Sequence, residues 1–229
     1  GANIDAKNND YITPLHHSSK YCNLNIVKLL LEKNANPNTK DRFGNGSLHI
    51  ASRYGHLEIV KLLLQKGANT EATNSDNEIP LDGALCSGNL ELAKLLLANG
   101  SNLDNKGENG QTPLYGAIIR GESGSVKLLL EKGANIEAKT DDGDTPLHGS
   151  LKSHRVDMME LLLEKGANID AKNTKGETPL YICSSRGKLE VVKLLLENGA
   201  NIEAKTDYGD TPLHHALSSY RLDMMELLL

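Results

Sequence analysis

Histidine is the residue type whose spacing in this sequence first suggests chemistry. The chain has eight histidines, and four of them recur at multiples of 33 residues: His16, His49, His148 and His214. Imidazole nitrogens bind metals and transfer protons, so a cluster of histidines would indicate a metal or acid–base site. Metal ligands must converge on one point, however, and side chains separated by one or more regular repeats do not. We therefore expect structural histidines and no metal.

The carboxylates and glycines give no stronger sign of catalysis. Residues 141–144 read Asp-Asp-Gly-Asp but lack the five-residue spacer to Glu that completes a calcium loop, so we interpret them as a solvated turn, with weak divalent binding as the alternative. The sequence also lacks the phosphate-binding loop, the nucleophile elbow and the zinc-protease motif. These observations predict a protein without catalytic residues or cofactors, and hence not an enzyme.

The elements that must position these side chains come from the same 33-residue step. Each unit begins with a tetrad of Thr, Pro, Leu and His, in which every position except Leu is replaced in at least one repeat. Thr caps a helix, and Pro suits its first turn. A second amphipathic helix follows, as in residues 57–64, and a glycine such as Gly67 ends it. The tetrads lie at residues 13–16, 46–49, 79–82, 112–115, 145–148, 178–181 and 211–214.

Three motifs of each unit together resemble the ankyrin repeat. They are the tetrad, the later Gly-x-Leu-Glu-[Ile/Val]-Val-Lys-Leu-Leu-Leu segment and the closing Gly-Ala-Asn. The resemblance implies an all-α fold: an ankyrin-repeat solenoid of seven helix-turn-helix units with β-hairpin-like fingers. It also implies one domain over 1–229. The expected repeats span 1–34, 35–67, 68–100, 101–133, 134–166, 167–199 and 200–229.

Composition limits the partners that this chain can bind. The net charge is −5, with acidic and basic residues mixed in every repeat, which argues against nucleic acid. Apolar runs are too short for membrane insertion. The three cysteines, Cys22, Cys86 and Cys183, lie too far apart along the repeats to pair, so we expect reduced thiols and an intracellular, cytoplasmic location. The sequence starts and stops within the repeat pattern, so we also expect end-to-end self-association.

The resemblance implies a non-catalytic protein–protein interaction scaffold whose concave face is formed by the fingers and first helices. Tyrosine, phenylalanine and arginine dominate interface hot spots, and they cluster at contact positions of the first two repeats. There are two alternatives. The chain is a structural spacer, or it is a substrate-recruiting segment of an enzyme whose catalytic domain lies outside this chain. The candidate partner-binding residues are Tyr21, Arg42, Phe43, Arg53, Tyr54, Arg120 and Tyr208.

Two further expectations concern single positions. The resemblance implies that a finger asparagine, Asn38, is either a substrate for hydroxylation or a plain turn residue. Repeats 3 and 4 break local rules at Ile79, Gly83 and Gly116, and at Ser123 and Ser125, which replace apolar residues. We therefore expect a weakly stable segment around residues 79–126.

Overall fold

The computed structural model describes residues 1–186 and 189–229, and of Arg186 it describes only the backbone. Within these residues the protein has fourteen α-helices, one short 3₁₀ turn (Glu108–Gly110) and no strand. The all-α fold class predicted from the sequence is confirmed.

The helices alternate between a first and a second helix of each unit. The first helices are α1 (Pro14–Lys20), α3 (Ser47–Arg53), α5 (Pro80–Cys86), α7 (Pro113–Arg120), α9 (Pro146–Lys152), α11 (Pro179–Arg186) and α13 (Pro212–Ser218). The second helices are α2 (Leu24–Glu32), α4 (Leu57–Gln65), α6 (Leu90–Ala98), α8 (Ser123–Glu131), α10 (Val156–Glu164), α12 (Leu189–Glu197) and α14 (Leu222–Leu228).

The first helices begin where the tetrad predicts, and the hydrogen bonds show why. The backbone N–H of His16 donates to Thr13 Oγ1 at 3.4 Å, and the N–H of Thr13 donates back to His16 Nδ1 at 3.1 Å. This reciprocal arrangement satisfies two N–H groups that a helix start leaves without partners. Pro14, the first helical residue, has no N–H that needs a partner.

The left-handed residue after the first helix is not always glycine. Gly55 and Gly121 occupy it with φ of 73° and 75°, as the sequence predicts, but Cys22, His154 and Tyr220 adopt φ of 57°, 60° and 53° at equivalent positions. A side chain in this conformation costs roughly 1–2 kcal/mol. Gly187, for which the same role was predicted, lies outside the described residues.

The chain divides into two compact units. Unit 1 comprises Gly1–Glu108 and Lys127–Gly133. In it, α1 packs on α3, α3 on α5, and the second helices α2, α4 and α6 pack in the same order. The tetrad leucines Leu15, Leu48 and Leu81 are buried between them, together with Ile59 and Leu63 of α4. Burying a side chain of this size contributes roughly 1.5–3 kcal/mol.

Unit 2 comprises Asn109–Val126 and Ala134–Leu229. Its first helices α7, α9, α11 and α13 pack in chain order, and α12 packs on α14. The fully buried residues again include tetrad leucines, Leu114, Leu147 and Leu180, joined by Ile118 and Leu162. Both units therefore build their cores from the same repeat positions.

The fingers are tight turns joined by backbone hydrogen bonds, not strands. The N–H of Asp41 donates to the carbonyl of Asn45 at 2.9 Å and closes one finger into a hairpin-like loop. Neighbouring fingers are linked in unit 1 by the N–H of Arg42, which donates to the Asp10 carbonyl at 3.0 Å. In unit 2 the N–H of Thr174 donates to the Asp142 carbonyl at 2.9 Å.

The rule-breaking positions of repeats 3 and 4 only partly match their predicted cost. Ser125 is buried, as expected, but Ser123 is exposed and forfeits no core contact. Ile79 lacks a capping oxygen, yet its N–H still donates to Asp82 Oδ2 at 2.9 Å. Gly83 permits a close helix contact, because a Cβ there would lie 3.0 Å from the backbone nitrogen of Arg53.

Candidate functional site

Unit 1 contains a surface hollow between its first two fingers and the helices α1 and α3. Its volume is about 260 Å³. We name it the aromatic hollow; it is lined by Ile12, Lys20, Asp41, Phe43, Asn45, His49, Ile50, Arg53 and Tyr54.

Aromatic side chains dominate the exposed apolar surface of the aromatic hollow. Phe43 projects from the second finger and Tyr54 follows the end of α3; they are 58% and 52% exposed. Ile12 and Ile50 belong to the same lining and are half-buried. Exposed aromatic rings beside aliphatic side chains are the composition of interface cores.

Two arginines accompany these rings, and both form ion pairs. Arg53 Nη2 lies 2.6 Å from Glu78 Oε2. Arg42 does not line the aromatic hollow, but its guanidinium carbon lies 5.0 Å from the centre of the Phe43 ring and its Nη1 is 2.5 Å from Asp10 Oδ1. The finger thus presents Phe43 with a cation stacked beside it.

Tyr21 lies at the end of α1, outside the lining of the aromatic hollow. Its ring is 4.7 Å from the ring of His17, and the Lys20 ammonium lies 5.5 Å from its centre. Tyr54 also has a ring neighbour, His56, at 5.9 Å, and His56 Nε2 hydrogen-bonds the Lys20 carbonyl at 3.1 Å. The ring of Tyr54 therefore lies beside a histidine tied to the end of α1.

The other two predicted residues belong to unit 2 and take no part in the aromatic hollow. Arg120 Nε donates to Glu122 Oε1 at 2.6 Å. Tyr208 is 87% exposed at a finger tip.

Six residues of the lining were not among the candidate partner-binding residues: Ile12, Lys20, Asp41, Asn45, His49 and Ile50. His49 was interpreted from the sequence only as a structural histidine, and Ile50 lies inside a helix at a position without a distinctive pattern. Asp41 had a usable signal, because an aspartate two residues before a turn commonly accepts the turn's N–H groups. Here Asp41 Oδ1 accepts from the N–H groups of Phe43 and Asn45 at 2.9 and 2.8 Å.

Unit 2 has a second hollow of about 290 Å³ at the equivalent repeat position, four repeats later. Lys175 stands where unit 1 has Phe43, and Ser185 stands where it has Arg53. At these two positions the second hollow therefore has an ammonium group and a hydroxyl group in place of the aromatic ring and the guanidinium. Its lining residues are Lys152, Lys175, Glu177, Ile182, Ser185 and His215.

The tetrad histidines have the structural role that the sequence predicts. His148 Nδ1 accepts from the Thr145 N–H at 3.2 Å, and its Nε2 reaches the Glu177 carbonyl at 3.2 Å. Because a carbonyl only accepts, Nε2 carries the proton and the ring is neutral. Burial lowers the pKa of His16, His49 and His148 below the usual 6.5.

Tyr115 stands at the histidine position of repeat 4 and makes a different contact. Its ring is buried, and its hydroxyl hydrogen-bonds the buried carboxylate of Asp144, which also pairs with Lys152. Burial of the ring, with the charge of Asp144, raises the pKa of Tyr115 to about 12. The group is therefore a neutral hydrogen-bond donor inside unit 2 at neutral pH.

Metal and membrane sites are not found in the part of the chain that the structure describes. No group of three or more His, Cys, Asp or Glu side chains there could hold a metal ion. Cys22 and Cys86 are exposed and Cys183 is buried, and these three cysteines form no disulfide with one another. Across residues 1–186 and 189–229, no helix has both the length and the apolar character that crossing a bilayer needs.

Comparison with solved structures places the fold among ankyrin repeat domains. The crystal structure of the human ASB11 ankyrin repeat domain superposes with a TM-score of 0.80 at 29% sequence identity. The match covers 95% of this chain and 98% of that one.

A curated relative matches only locally. A 41-residue segment, 18% of this chain, is 54% identical to the transient receptor potential cation channel subfamily A member 1 homolog of Caenorhabditis elegans. The matched segment spans only 3% of that protein's length.

The family comparison covers nearly the whole sequence. A family model described as "Ankyrin repeats (3 copies)" matches residues 1–74, 81–173 and 166–229. Ankyrin repeats are generally protein–protein interaction modules. On the tetrads, the paired helices, the linked fingers and these matches, the chain belongs to the ankyrin repeat family.

Proposed function

We propose that this protein is a non-catalytic protein–protein interaction scaffold that binds its partner through the fingers and first helices of unit 1. The aromatic hollow is the proposed centre of contact. The observation that carries the proposal is the joint exposure of Phe43 and Tyr54, each more than half accessible, around one concave surface. These exposed rings leave apolar surface in contact with water, so a partner that covers them gains free energy of association.

The residues around the rings support recognition of a protein. The hollow of about 260 Å³ is smaller than the roughly 300–1,000 Å³ typical of small-molecule pockets, and it suits one side chain of a partner. Arg42, Arg53 and Tyr21 stand at or beside it as further anchors of the types enriched in hot spots. Arg120 and Tyr208 remain sequence-based predictions for a separate contact on unit 2. Three cysteines without a disulfide among them support an intracellular, cytoplasmic location.

Selection of binders from a random peptide library displayed on phage tests this proposal without a known partner. The bait is the full chain, and the selected peptides are measured against Phe43→Ala and Tyr54→Ala variants. Each substitution should weaken binding about 30-fold, the equivalent of about 2 kcal/mol. Tyr220→Ala is the matched control, because it removes an aromatic ring that is 93% exposed and lies outside the hollow.

Circular dichroism and thermal unfolding must show that the variants fold normally. Selected binders that keep full affinity for both Phe43→Ala and Tyr54→Ala would contradict the assignment of the aromatic hollow. Equal losses with Tyr220→Ala would show that the effect is not specific to this surface.

A further inference from the structure

The polar groups of the aromatic hollow are unevenly satisfied, and this imbalance identifies the kind of partner it fits. Its acceptors are already engaged by donors within unit 1. Asp41 Oδ1 accepts two finger N–H groups, and Asn45 Oδ1 accepts from Asn74 Nδ2 at 3.1 Å. The carbonyl of Asn45 also accepts, from the Asp41 N–H at 2.9 Å and from His16 Nε2 at 3.1 Å.

The donors of the aromatic hollow are less engaged than its acceptors. In the described part of the chain, the Lys20 ammonium makes no hydrogen bond or ion pair, and it lies 5.5 Å from the centre of the Tyr21 ring. Arg53 uses Nη2 for Glu78, which leaves N–H groups of its guanidinium directed to solvent or a ligand. A complementary ligand must therefore bring acceptors, and a negative charge satisfies an ammonium best.

The apolar part of the lining sets the other half of the requirement. Phe43, Tyr54, Ile12 and Ile50 surround a space that holds one large side chain. Lys20 lines the same space, so the acceptor must come from a residue close to that side chain in the partner.

We infer that the aromatic hollow recognises a peptide segment in which a large apolar side chain is flanked by an aspartate or glutamate. This inference rests on the proposed function and adds the chemistry of the partner. Lys20 acts as the charge-reading residue, and Phe43 and Tyr54 act as the apolar contact. A segment with lysine beside the apolar residue is disfavoured, because its ammonium would face Lys20 and Arg53.

Four blocked nonapeptides of glycine and serine test the inference directly. Their central pairs are Phe-Glu, Phe-Gln, Phe-Lys and Ala-Glu, and binding to the full chain is followed by chemical-shift titration. We expect the Phe-Glu peptide to bind about fivefold more tightly than Phe-Gln, the upper range for an exposed ion pair. Phe-Lys and Ala-Glu should bind more weakly than Phe-Gln.

The Lys20→Gln variant should abolish the preference for Phe-Glu over Phe-Gln. Lys28→Gln is the matched control, because it makes the same charge change at an exposed position of α2 that does not line the hollow. Raising the salt concentration should reduce the preference in the wild-type chain, since exposed charges are screened.

The outcomes separate this inference from the proposed function. Equal binding of Phe-Glu and Phe-Gln, with affinity still dependent on Phe43, would overturn the carboxylate preference and leave the aromatic hollow as a binding site. No binding of any peptide would overturn the inference, whereas the proposed function would still be decided by the selected library binders. A preference that survives Lys20→Gln but is lost in Lys28→Gln would assign the charge effect to another surface.

Discussion

Gly149 is predicted to be required by the tyrosine that replaces histidine in repeat 4. A Cβ built on Gly149 would lie 2.8 Å from Tyr115 Cε2 and 3.2 Å from Cδ2 and Cζ. Favourable carbon–carbon contacts occur at about 3.5–4.0 Å, so Gly149→Ala creates an overlap. Tyr115 has little room to move, because its ring is buried and its hydroxyl is held by Asp144.

The expected magnitude is a balance of two opposing effects. Replacing glycine with alanine inside a helix stabilises it by roughly 1 kcal/mol. Overpacking a buried site costs typically 1–3 kcal/mol. We therefore expect Gly149→Ala to lower the free energy of unfolding by about 1 kcal/mol, whereas its helix preference alone would raise it.

A double-mutant cycle with Tyr115→His isolates the contact. Histidine occupies this tetrad position in four of the seven repeats and is smaller than tyrosine, so alanine at 149 should stabilise that background by about 1 kcal/mol. The coupling energy from urea unfolding is then about 2 kcal/mol, within the range for contacting residues. Gly116→Ala is the matched control; the nearest atom to its Cβ is the flexible end of Arg120, and it should stabilise by about 1 kcal/mol.

Gly149→Ala stabilising the protein equally in both backgrounds would refute the reasoning. It would mean that the ring of Tyr115 shifts at no cost, and that Gly149 is a helix defect and not a packing requirement.

The buried histidines, a left-handed residue and a buried serine give three other predictions. Burial holds the pKa of His16, His49 and His148 below 6.5, so the unfolded chain binds protons more readily than the folded chain. The free energy of unfolding should therefore fall as pH drops from 7 to 5, by at most about 1.4 kcal/mol per histidine per pH unit. Urea unfolding across that pH range measures this change, and a constant free energy of unfolding would contradict the prediction. His154→Gly should stabilise unit 2 by about 0.5–1 kcal/mol, because it relieves the backbone strain of a side chain at a φ of 60°. Ser153→Gly, at a φ of −91°, should destabilise unit 2. The opposite order of stabilities in thermal melts would disprove the strain argument. Amide hydrogen exchange should show that residues 123–130 of α8 open at lower free energy than residues 58–64 of α4, because the buried Ser125 stands where α4 has Ile59; equal protection would rule this out.

Local sequence was sufficient for most of the fold. The helix starts at Thr13 and Thr145 depend on partners within three residues, so the tetrad alone predicts them. The left-handed end of the second helix at Gly67 was predictable for the same reason, and so was Asn34 with its φ of 64°. Cys22 and Tyr220 were not predictable as left-handed residues from their own side chains, because neither residue type favours that conformation.

The candidate site was predictable only as a set of repeat positions. Repeat phase predicted Phe43, Arg53 and Tyr54 as candidate partner-binding residues, and these three line one hollow. Phase could not show that Tyr21 and Arg42 lie beside the lining and not in it, or that Ile50 and His49 contribute to it. Those outcomes depend on side-chain direction and on ion pairs such as Arg42–Asp10, which link different repeats.

What the sequence by itself determined is the repeat length, the order of helices and the residues that begin and end most of them, because these depend on hydrogen bonds and conformational preferences within a few residues. What only the tertiary structure decided is which repeat positions meet. Gly149 shows the difference: helix propensity marks it as a weakness, and the ring of Tyr115, 34 residues earlier, makes it a requirement. Contacts across repeats are set by packing distances of a few ångströms between side chains, and the linear sequence does not specify these distances.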